Sequence, residues 1–243
     1  MIIYGINPVL EALRAGRVDA IRFAHRSDAR LSDLLDAARK AGVTIKRVDA
    51  GELERASHGG VHQGVVALLR DAEATSVEDL VASASGAPLL VVLDGIEDPH
   101  NVGAILRSVD AAGGHGVVRQ IRHAAPLGGA TAKASAGAVA HVKVADVVNI
   151  ARALEALKAA GVWTVGLAGD APKAYDEIDF TLPTAIVVGA EGAGLRRLVR
   201  ERCDWLVSVP MRGHVQSLNV SVATGVVLFE AVRQRRNSPN AAT

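Results

Sequence analysis

Three stretches of the sequence combine glycine with polar side chains in ways that could hold a ligand. The first, LDGIEDPHNVGAILR at residues 93–107, contains Asn101, Gly103 and Arg107. Pro99 suits the first turn of a helix, so Gly103 and Arg107 would share one helix face. The glycine would then clear space beside the guanidinium for a bulky group such as a nucleotide phosphate. The plainer alternative is that Asn101 caps the helix and Arg107 is an ordinary surface charge.

The second stretch, IVVGAEGAGL at residues 186–195, runs from a buried strand into a glycine-rich loop. Glycines at 189, 192 and 194 would let backbone groups face a ligand closely. Glu191 could hold a hydroxyl or a ligand amine. The order of the glycines is GxxGxG, which differs from the dinucleotide-binding GxGxxG, and the Lys-Ser/Thr pair of a phosphate-binding loop is missing. A plain tight turn is an equal alternative.

The third stretch, VSVPMRGHVQSLNVSVA at residues 207–223, contains a strand that ends at Pro210. Ser217, Asn219 and Ser221 then cluster where a helix begins. Polar side chains beside the free N–H groups of a helix start can form a cup for a polar ligand. The alternative is that Ser217 simply caps the helix, which explains one polar residue but less readily three.

The elements that must position these stretches fall into two regions. Residues 1–70 alternate helical and strand patterns and predict a small α/β domain with its own core. Its predicted elements are a helix opening at Asn7-Pro8, a strand at 19–24, a helix at 30–41 with Leu31, Leu34, Leu35 and Ala38 on one face, and strands at 43–48 and 65–69. Residues 71–87 are small and acidic, which is typical of a linker that could carry one helical turn.

Residues 88–236 predict an α/β domain with a parallel sheet and helices on both sides. The run 89–93 is continuously apolar, as in a strand that is buried on both faces. Further strands are expected near Val117 and at 141–144, 162–167, 185–189 and 205–209. Ligands of such sheets bind beyond the carboxyl ends of the strands, which is where the three stretches lie.

The end of the chain predicts a helix at 218–232, followed by a disordered tail at 237–243. The first three turns of this helix are apolar almost all round. Such a helix is buried, either in a core or against another subunit.

The composition excludes several classes of protein. Cys203 is the single cysteine, which excludes a disulfide framework and a cysteine-rich zinc site, and the eight histidines lack metal-ligand spacing. Apolar runs are too short for a spanning helix, and the start of the chain lacks the layout of a signal peptide, so we expect a cytoplasmic protein without membrane contact. Residues 1–70 hold 11 Lys and Arg against 8 Asp and Glu. This weakly basic region suits a phosphate-bearing partner, although an ordinary solvated surface is the commoner explanation.

In this order and spacing, the three stretches resemble the signature motifs of the SpoU/TrmH family of RNA ribose 2′-O-methyltransferases, within the SPOUT superfamily. The residues that carry the resemblance are Asn101, Gly103 and Arg107 in the first motif, Gly189, Glu191, Gly192 and Gly194 in the second, and Pro210, Ser217, Leu218, Asn219 and Ser221 in the third. The resemblance is strongest to members that methylate a guanosine in large-subunit (23S) ribosomal RNA.

The resemblance extends to the front of the chain and covers residues 1 to about 236. Tyr4-Gly5 with Asn7-Pro8-Val9, and His62-Gln63-Gly64, look like the substrate-binding domain of many members. It implies a SPOUT-type parallel sheet tied in a trefoil knot and a small N-terminal α/β domain of the ribosomal-protein-L30e-like type. The knot follows from the resemblance alone, because general topology rules argue against knots.

The resemblance further implies a homodimer that uses S-adenosylmethionine (SAM) as methyl donor, without a metal. The residues implied to contact SAM are Gly189, Glu191, Gly192, Val209, Pro210, Met211, Ser217, Leu218 and Asn219. The sequence departs from the usual pattern at Arg119–His123 and at His214–Gln216. Both departures lie where RNA or SAM would be expected, so they concern the choice of substrate more than the reaction.

The resemblance assigns the reaction itself to Arg107. Because a guanidinium is almost never neutral in a protein, we expect it to grip the target phosphate and hydroxyl and to lose a proton at most transiently. Asn101, Glu191, Ser217 and Asn219 would orient Arg107, the ribose and the loops.

In the front domain, two sets of side chains could contact RNA. His62-Gln63-Gly64 is one candidate, and a simple turn before the strand at 65–69 is an equal explanation. The arginines available for phosphates are Arg14, Arg17, Arg22, Arg26 and Arg30, any of which could be plain surface charge.

Three other functions remain open from the sequence. A tRNA ribose 2′-O-methyltransferase of the same family would share every motif. A non-catalytic RNA-binding protein of ribosome assembly would keep the fold, but the intact Arg107, Glu191, Ser217 and Asn219 argue against it. A nucleotide-dependent oxidoreductase would need GxGxxG near the first strand of its sheet, which is absent here.

Overall fold

A computed structural model describes residues 1–24, 28–70 and 74–238 of the chain. The chain divides into two compact units, and the division is not a single cut along the sequence. The first unit comprises Met1–Glu73, Pro99–Arg107 and Ala125–His141, and the second comprises Ala74–Asp98, Ser108–Ala124 and Val142–Thr243. Two segments that follow the expected linker therefore cluster with the front of the chain. The domain boundaries at 70 and 87 stay predictions.

The helices and strands follow one another in this order along the described residues: β1 (Ile2–Tyr4), α1 (Ile6–Arg14), β2 (Val18–Phe23), α2 (Ala29–Lys40), β3 (Thr44–Arg47), α3 (Ala50–Ser57), β4 (Val65–Leu69), α4 (Val77–Ala82), β5 (Leu89–Asp94), α5 (Pro99–Ala111), β6 (Gly116–Gln120), α6 (Gly129–Ala134), β7 (Val144–Val147), α7 (Ile150–Ala159), β8 (Trp163–Leu167), β9 (Lys173–Ala174), β10 (Thr184–Gly189), α8 (Arg197–Arg202), β11 (Trp205–Ser208) and α9 (Val220–Asn237). Short 3-10 helices lie at Ala138–Ala140 and Tyr175–Glu177.

The first unit is built on a four-stranded sheet in the order β1-β4-β2-β3. β4 runs antiparallel to β1 and β2, whereas β2 and β3 are parallel. Helices α1 and α2 pack together and against this sheet. The predicted apolar face of α2 is confirmed, because its four members are all buried: Leu31, Leu34, Leu35 and Ala38. A second, smaller cluster joins Leu53 of α3 to Tyr4 and Val66 of the sheet.

The second unit contains a seven-stranded sheet in the order β7-β6-β5-β10-β8-β11-β9, and its neighbouring strands are parallel throughout. The central strands β5 and β10 are buried along their whole length, as their continuous apolar sequences predict. Asp94 and Gly189, the last residues of these strands, are partners in the sheet register. The carboxyl ends of β5 and β10 therefore lie side by side, and the parallel α/β class is confirmed.

The expectation of a strand at 141–144 is wrong. The strand β7 starts at Val144, and the residues before it form the 3-10 helix Ala138–Ala140. Ala136 and Gly137 have left-handed backbone angles, with φ of 52° and 99°, which turn the chain sharply before this short helix. Ala138, Val139, Ala140 and Val142 are buried although they are not in a strand. These apolar residues lack the alternation of a half-buried strand, and their apolar character alone led to a predicted strand start that was too early.

The stretch expected to be a linker at 71–87 contains a capped helix. Residues 71–73 lie outside the described residues. Ser76 begins α4 in a capping box with Asp79, which satisfies backbone N–H groups at the helix start. Val77 and Leu80 are buried in the main core cluster of the second unit. The described part of this stretch therefore contributes to a hydrophobic core.

The last helix is longer than expected and is not buried all round. α9 begins at Val220 and ends at Asn237, which is the first residue of the predicted tail; residues 239–243 lie outside the described residues. Val227, Leu228 and Ala231 are fully buried on the side that packs against β10, whereas Val222 and Phe229 are each 51% exposed. Within the described ranges, no helix has the length and hydropathy needed to cross a membrane.

Candidate active site

A cavity of about 530 Å³ opens at the carboxyl ends of β8, β10 and β11 and beside the start of α9, all within the second unit. This volume falls within the range typical of small-molecule sites. Apolar side chains line part of it, and backbone of the glycine-rich loop lines another part. The lining residues are Leu167–Gly169, Val188–Gly192, Gly194, Val207–Val209, Met211, Gln216–Val220 and Ala223.

The glycine-rich loop folds back on the strand that precedes it. A Cβ atom at Gly189 would lie 2.1 Å from the carbonyl carbon of Gly194 and 2.4 Å from the backbone nitrogen of Leu195. The turn is closed by the Gly194 N–H, which donates to the carbonyl of Ala190 at 2.8 Å. Gly192 and Gly194 have positive φ angles of 76° and 66°, which favour glycine. The stretch is therefore a tight turn, and that turn is also a wall of the cavity.

Asn219 connects this loop to the last helix. Its side-chain Nδ2 donates a short hydrogen bond to Oε1 of Glu191. Its Oδ1 accepts from the backbone N–H of Ser221 at 2.9 Å and of Val222 at 3.4 Å, so Asn219 is the cap of α9. The alternative that Ser217 caps this helix is therefore wrong, because the helix begins two residues later than expected. Ser217 instead lines the cavity.

The structure brings most of the expected SAM-binding residues together around this cavity. Pro210 alone among them is not part of the lining, and the members that do line it are Gly189, Glu191, Gly192, Val209, Met211, Ser217, Leu218 and Asn219. Sequence reasoning missed the contribution of Leu167–Gly169, which follow β8. The strand itself was expected, and its pairing with β10 places its carboxyl end at the same edge of the sheet. Considering the carboxyl end of every predicted strand as a possible ligand site would have found these residues.

The residues of the first motif lie on α5, and the part Pro99–Arg107 belongs to the first unit. Asn101 is the third residue of the helix and is 7% exposed. Arg107 is exposed, and within the described ranges no hydrogen bond or ion pair engages its guanidinium. The structure alone does not assign either residue a chemical role.

The interpretation of Gly103 as a source of open space is wrong. A Cβ atom at this position would lie 2.5 Å from Cβ of Ala134 and 2.7 Å from the carbonyl oxygen of Thr131. Both belong to α6, in the same unit, so the glycine permits two helices to approach closely. Helix packing, rather than access for a ligand, explains why this position is a glycine.

The side chains of the front-domain motif are engaged within the first unit. Oε1 of Gln63 accepts a hydrogen bond from the backbone N–H of Ile6 at 3.0 Å, at the start of α1. Nδ1 of His62 accepts from the N–H of Gly64 at 3.1 Å, and Gln63 has a positive φ of 53°. These contacts favour the turn interpretation, and an RNA contact of this motif stays a prediction.

Three of the arginines proposed to meet phosphates form ion pairs in the first unit. Arg14, Arg22 and Arg30 lie 2.6, 3.3 and 3.8 Å from the carboxylates of Glu11, Glu52 and Asp28. Exposed pairs of this kind are weak, so an RNA phosphate could compete for each arginine. Arg26 lies outside the described residues.

The two departures from the family pattern have different surroundings. His123 has a left-handed φ of 55°, and its Nδ1 lies 3.3 Å from a carboxylate oxygen of Glu97. His214 and Val215 are exposed, whereas Gln216 lines the cavity. The second departure therefore bears directly on the shape of the cavity.

Two other chemistries receive little support from the site. Burial raises the pKa of the Cys203 thiol to about 12, which disfavours the thiolate needed for nucleophilic attack. Across the described ranges, no group of three or more His, Cys, Asp or Glu side chains could hold a metal ion.

Comparison with known protein families assigns the chain. Residues 88–229 match the model of the SpoU rRNA Methylase family, and residues 2–75 match the model described as RNA 2′-O ribose methyltransferase substrate binding. The chain belongs to the SpoU methylase family. The N-terminal substrate-binding domain expected from the sequence is thereby confirmed, whereas the trefoil knot stays a prediction.

Relatives of this SpoU-family chain are similar over nearly its whole length. A Burkholderia protein named 23S rRNA (guanosine-2′-O-)-methyltransferase RlmB is 47% identical over 238 residues, which cover 96% of each chain. The protein of the same name from Ralstonia nicotianae is 46% identical over 245 residues, which cover 98% of this chain and 97% of the relative. Among solved structures, the SpoU methyltransferase AviRb from Streptomyces viridochromogenes in complex with AdoMet matches 98% of this chain and 91% of its own, with a TM-score of 0.82 and 28% identity.

Proposed function

We propose that this chain transfers a methyl group from SAM to the ribose 2′-hydroxyl of a guanosine in 23S ribosomal RNA. The similarity to the RlmB relatives carries the proposal, because it spans both the methylase region and the substrate-binding region. Family membership alone would support only RNA ribose methylation, whereas 46–47% identity over both regions supports the same RNA target.

The residues around the cavity fit SAM. The adenine and the methionine chain of this molecule need apolar surface and backbone hydrogen-bonding groups, and the cavity offers Leu167, Val188 and Leu218 beside the loop backbone. The bare backbone at Gly189 and Gly192 lets the wall approach a ligand without side chains between them. Glu191 places a carboxylate where a cationic ligand would gain from it. When bound, SAM supplies a methyl group on a positively charged sulfur, which is a good leaving group.

The chain must then present the ribose hydroxyl and increase its electron density. We assign this role to Arg107, which would bind the phosphate next to the target and, by losing its own proton at most transiently, would take the hydroxyl proton as the oxygen receives the methyl group. Its exposure and its lack of an ion pair in the described residues support the assignment, since the group needs no release from a partner. Asn101, Ser217 and the Glu191–Asn219 pair would orient the ribose and the loop.

A homodimer would explain an exposed apolar surface on α9. Leu218, Val222 and Phe229 are 37%, 51% and 51% exposed, although they are large apolar residues. Val222 and Phe229 lie seven residues apart on one side of α9, and Leu218 precedes the helix. A two-fold partner with the same surface would bury them.

A ribosomal RNA substrate also favours action in the cytoplasm.

A tRNA target is the second candidate, and the coverage of the similar structures argues against it. A crystal structure of the A. aeolicus TrmH/SpoU tRNA modifying enzyme covers 66% of this chain, with a TM-score of 0.56 and 32% identity. The RlmB relatives cover 96% or more. A ribosomal target therefore accounts for more of the chain than a tRNA target does.

The test is transfer of tritiated methyl groups from SAM to purified RNA from a strain that lacks the gene. Ribosomal RNA, ribosomal subunits and tRNA are offered separately, and their RNA is then digested and mapped by mass spectrometry. We expect label on the ribose of one guanosine in 23S RNA. Label confined to tRNA would keep the reaction and overturn the target. Failure to label naked RNA, ribosomal subunits or tRNA, by protein that binds SAM, would favour the non-catalytic assembly protein.

A further inference from the structure

Asp94 is a buried carboxylate at the end of β5 that none of the roles above uses. Its side chain is fully shielded from solvent. A buried charge is costly unless a partner charge and hydrogen bonds compensate it. Arg196 provides both, because its backbone N–H donates to Oδ2 of Asp94 at 2.8 Å and its Nε donates to Oδ1 at 2.6 Å.

Arg196 stands where the glycine-rich loop ends. It follows Leu195 directly and is the N-cap residue of α8. Its guanidinium is half exposed, and Nη2 also donates to Oε1 of Gln120, the last residue of β6, at 2.7 Å. One arginine therefore joins the exit of the loop to the ends of two neighbouring strands.

The loop is consequently fixed at both ends to the same residue. At its entry, Gly189 pairs with Asp94 in the sheet register. At its exit, Arg196 is bound by the carboxylate of that same Asp94. Between these points the loop closes on itself through the Ala190–Gly194 bridge, with Glu191 and Gly192 at its tip. A shift of Arg196 away from Asp94 would open the turn and move the wall of the cavity.

We propose that Asp94 and Arg196 form a latch that positions the glycine-rich loop, residues 189–195, for SAM. The latch is defined by the carboxylate of Asp94 and the backbone N–H and guanidinium of Arg196. Both are positioning residues, since neither lines the cavity. The identity of the ligand rests on the function proposed above, whereas the effect on the loop does not.

An ion pair could instead stabilise the fold as a whole without setting the loop. The same sheet offers a matched control for this possibility. Nε of Arg119 donates to Oδ1 of Asp146 at 2.7 Å, and the two residues are register partners on β6 and β7. This pair also joins an arginine Nε to an aspartate, with the Asp146 side chain 46% exposed, and neither residue adjoins the loop. Asp146→Asn therefore measures what the loss of a strand-joining carboxylate does elsewhere in the unit.

The first measurement is amide hydrogen exchange of the loop in the full chain without SAM. We expect Asp94→Asn and Arg196→Gln to raise exchange at residues 190–195 by about tenfold, the loss typical of one charged hydrogen bond. Asp146→Asn should leave it within about twofold. Arg196→Lys should recover part of the protection, because an ammonium can still reach the carboxylate but cannot reproduce two directed N–H bonds.

The second measurement is the dissociation constant of SAM by calorimetry for the same four variants. If the latch positions the loop, Asp94→Asn and Arg196→Gln should weaken SAM binding by about tenfold. The affinity of Arg196→Lys should fall between those of these two variants and the parent. Asp146→Asn should bind SAM as the parent does. Arg196→Gln keeps the backbone hydrogen bond and alters an exposed side chain, so it remains informative if Asp94→Asn does not fold.

The two measurements separate the latch from the proposed function. Loop exchange in Arg196→Gln no faster than in Asp146→Asn would overturn the latch, even if melting temperatures fall. If the parent protein does not bind SAM but loop exchange still rises in the latch variants, the proposed cofactor is overturned. The latch then remains a feature that holds the loop in position. Faster exchange with unchanged SAM affinity would overturn the claim that the loop position matters for binding.

Discussion

The glycine-rich loop of the second unit and Arg107 of the first unit are held in opposite ways. In the second unit, the residues around the cavity are already bonded to one another: Glu191 binds Asn219, and Asn219 caps α9. In the first unit, Arg107 is exposed and, among the described residues, makes no ion pair. A site whose groups are already held binds its ligand without much loss of conformational entropy, whereas an unengaged charge is ready for a partner that arrives. The comparison agrees with the proposal of a prebuilt cofactor site and a separate residue that contacts the RNA.

The largest effect should come from Arg107→Ala. Loss of the group that binds the phosphate and takes the hydroxyl proton should reduce kcat by about 10³-fold, within the range for a positioned general base. Turnover is measured with tritiated SAM and RNA at saturating concentrations of both. Arg152→Ala serves as the control, because Arg152 is another exposed helical arginine and lies on α7. Comparable loss in both variants would mean that general charge, rather than this position, matters.

Gly189→Ala tests whether the position of the glycine-rich loop determines SAM binding. A Cβ atom 2.1 Å from the backbone of Gly194 must displace the loop, and overpacking of this kind costs about 1–3 kcal/mol. We therefore expect SAM affinity to fall by about 10- to 100-fold in calorimetry. Gly213→Ala is the matched control, because nothing lies within 4 Å of its added Cβ and φ is not positive there. Equal affinities for the two alanine variants would contradict the assignment of the loop to the cofactor.

Variants of Asn219 separate the two functions of its side chain, the cap of α9 and the hydrogen bond to Glu191. Asn219→Asp keeps an acceptor that caps α9 well, but it replaces the donor to Glu191 with a like charge. Asn219→Ala loses both hydrogen bonds, so the lost cap should lower the free energy of unfolding of this variant by about 1 kcal/mol. Both variants should weaken SAM binding by severalfold. If the aspartate variant binds SAM as the parent does, the Glu191–Asn219 bond is structural and not part of the site.

The smallest effect on turnover concerns Cys203, which should matter only for stability at high pH. Its pKa is raised by burial from 9.0 to about 12. A raised pKa in the folded state contributes stability below pH 9 that is lost as the pH rises toward 12, by about 1.4 kcal/mol for each pH unit. Chemical denaturation at pH 8 to 11 should show a steeper decline for the parent than for Cys203→Ala. Parallel declines would mean that the thiol is not shielded from solvent.

Local patterns in the sequence were sufficient for much of the fold. The buried strands β5 and β10 and the apolar face of α2 follow from runs and spacings within single elements. The strand at Val65–Leu69 has the predicted bounds. The parallel sheet and the cup at the start of α9 follow from the alternation of elements and from the clustering of polar residues.

What local patterns could not give are contacts between distant residues. Gly103 is explained by Thr131 and Ala134, about thirty positions later, so its own surroundings in the sequence suggested the wrong reason. Asn219 rather than Ser217 caps α9, and the same side chain is bonded to Glu191, which lies 28 positions earlier. The link from Asp94 to Arg196 joins residues about a hundred positions apart and has no signature in the motifs.

The most direct test of the central claim is SAM affinity and turnover measured on the same preparations of Arg107→Ala and Gly189→Ala. If the cofactor site is prebuilt and Arg107 serves the RNA, Arg107→Ala binds SAM as the parent does and turns over almost nothing. Gly189→Ala should instead lose SAM affinity and recover part of its turnover at high SAM concentration. Loss of SAM binding in Arg107→Ala to the same extent as in Gly189→Ala would contradict the separation of the two roles.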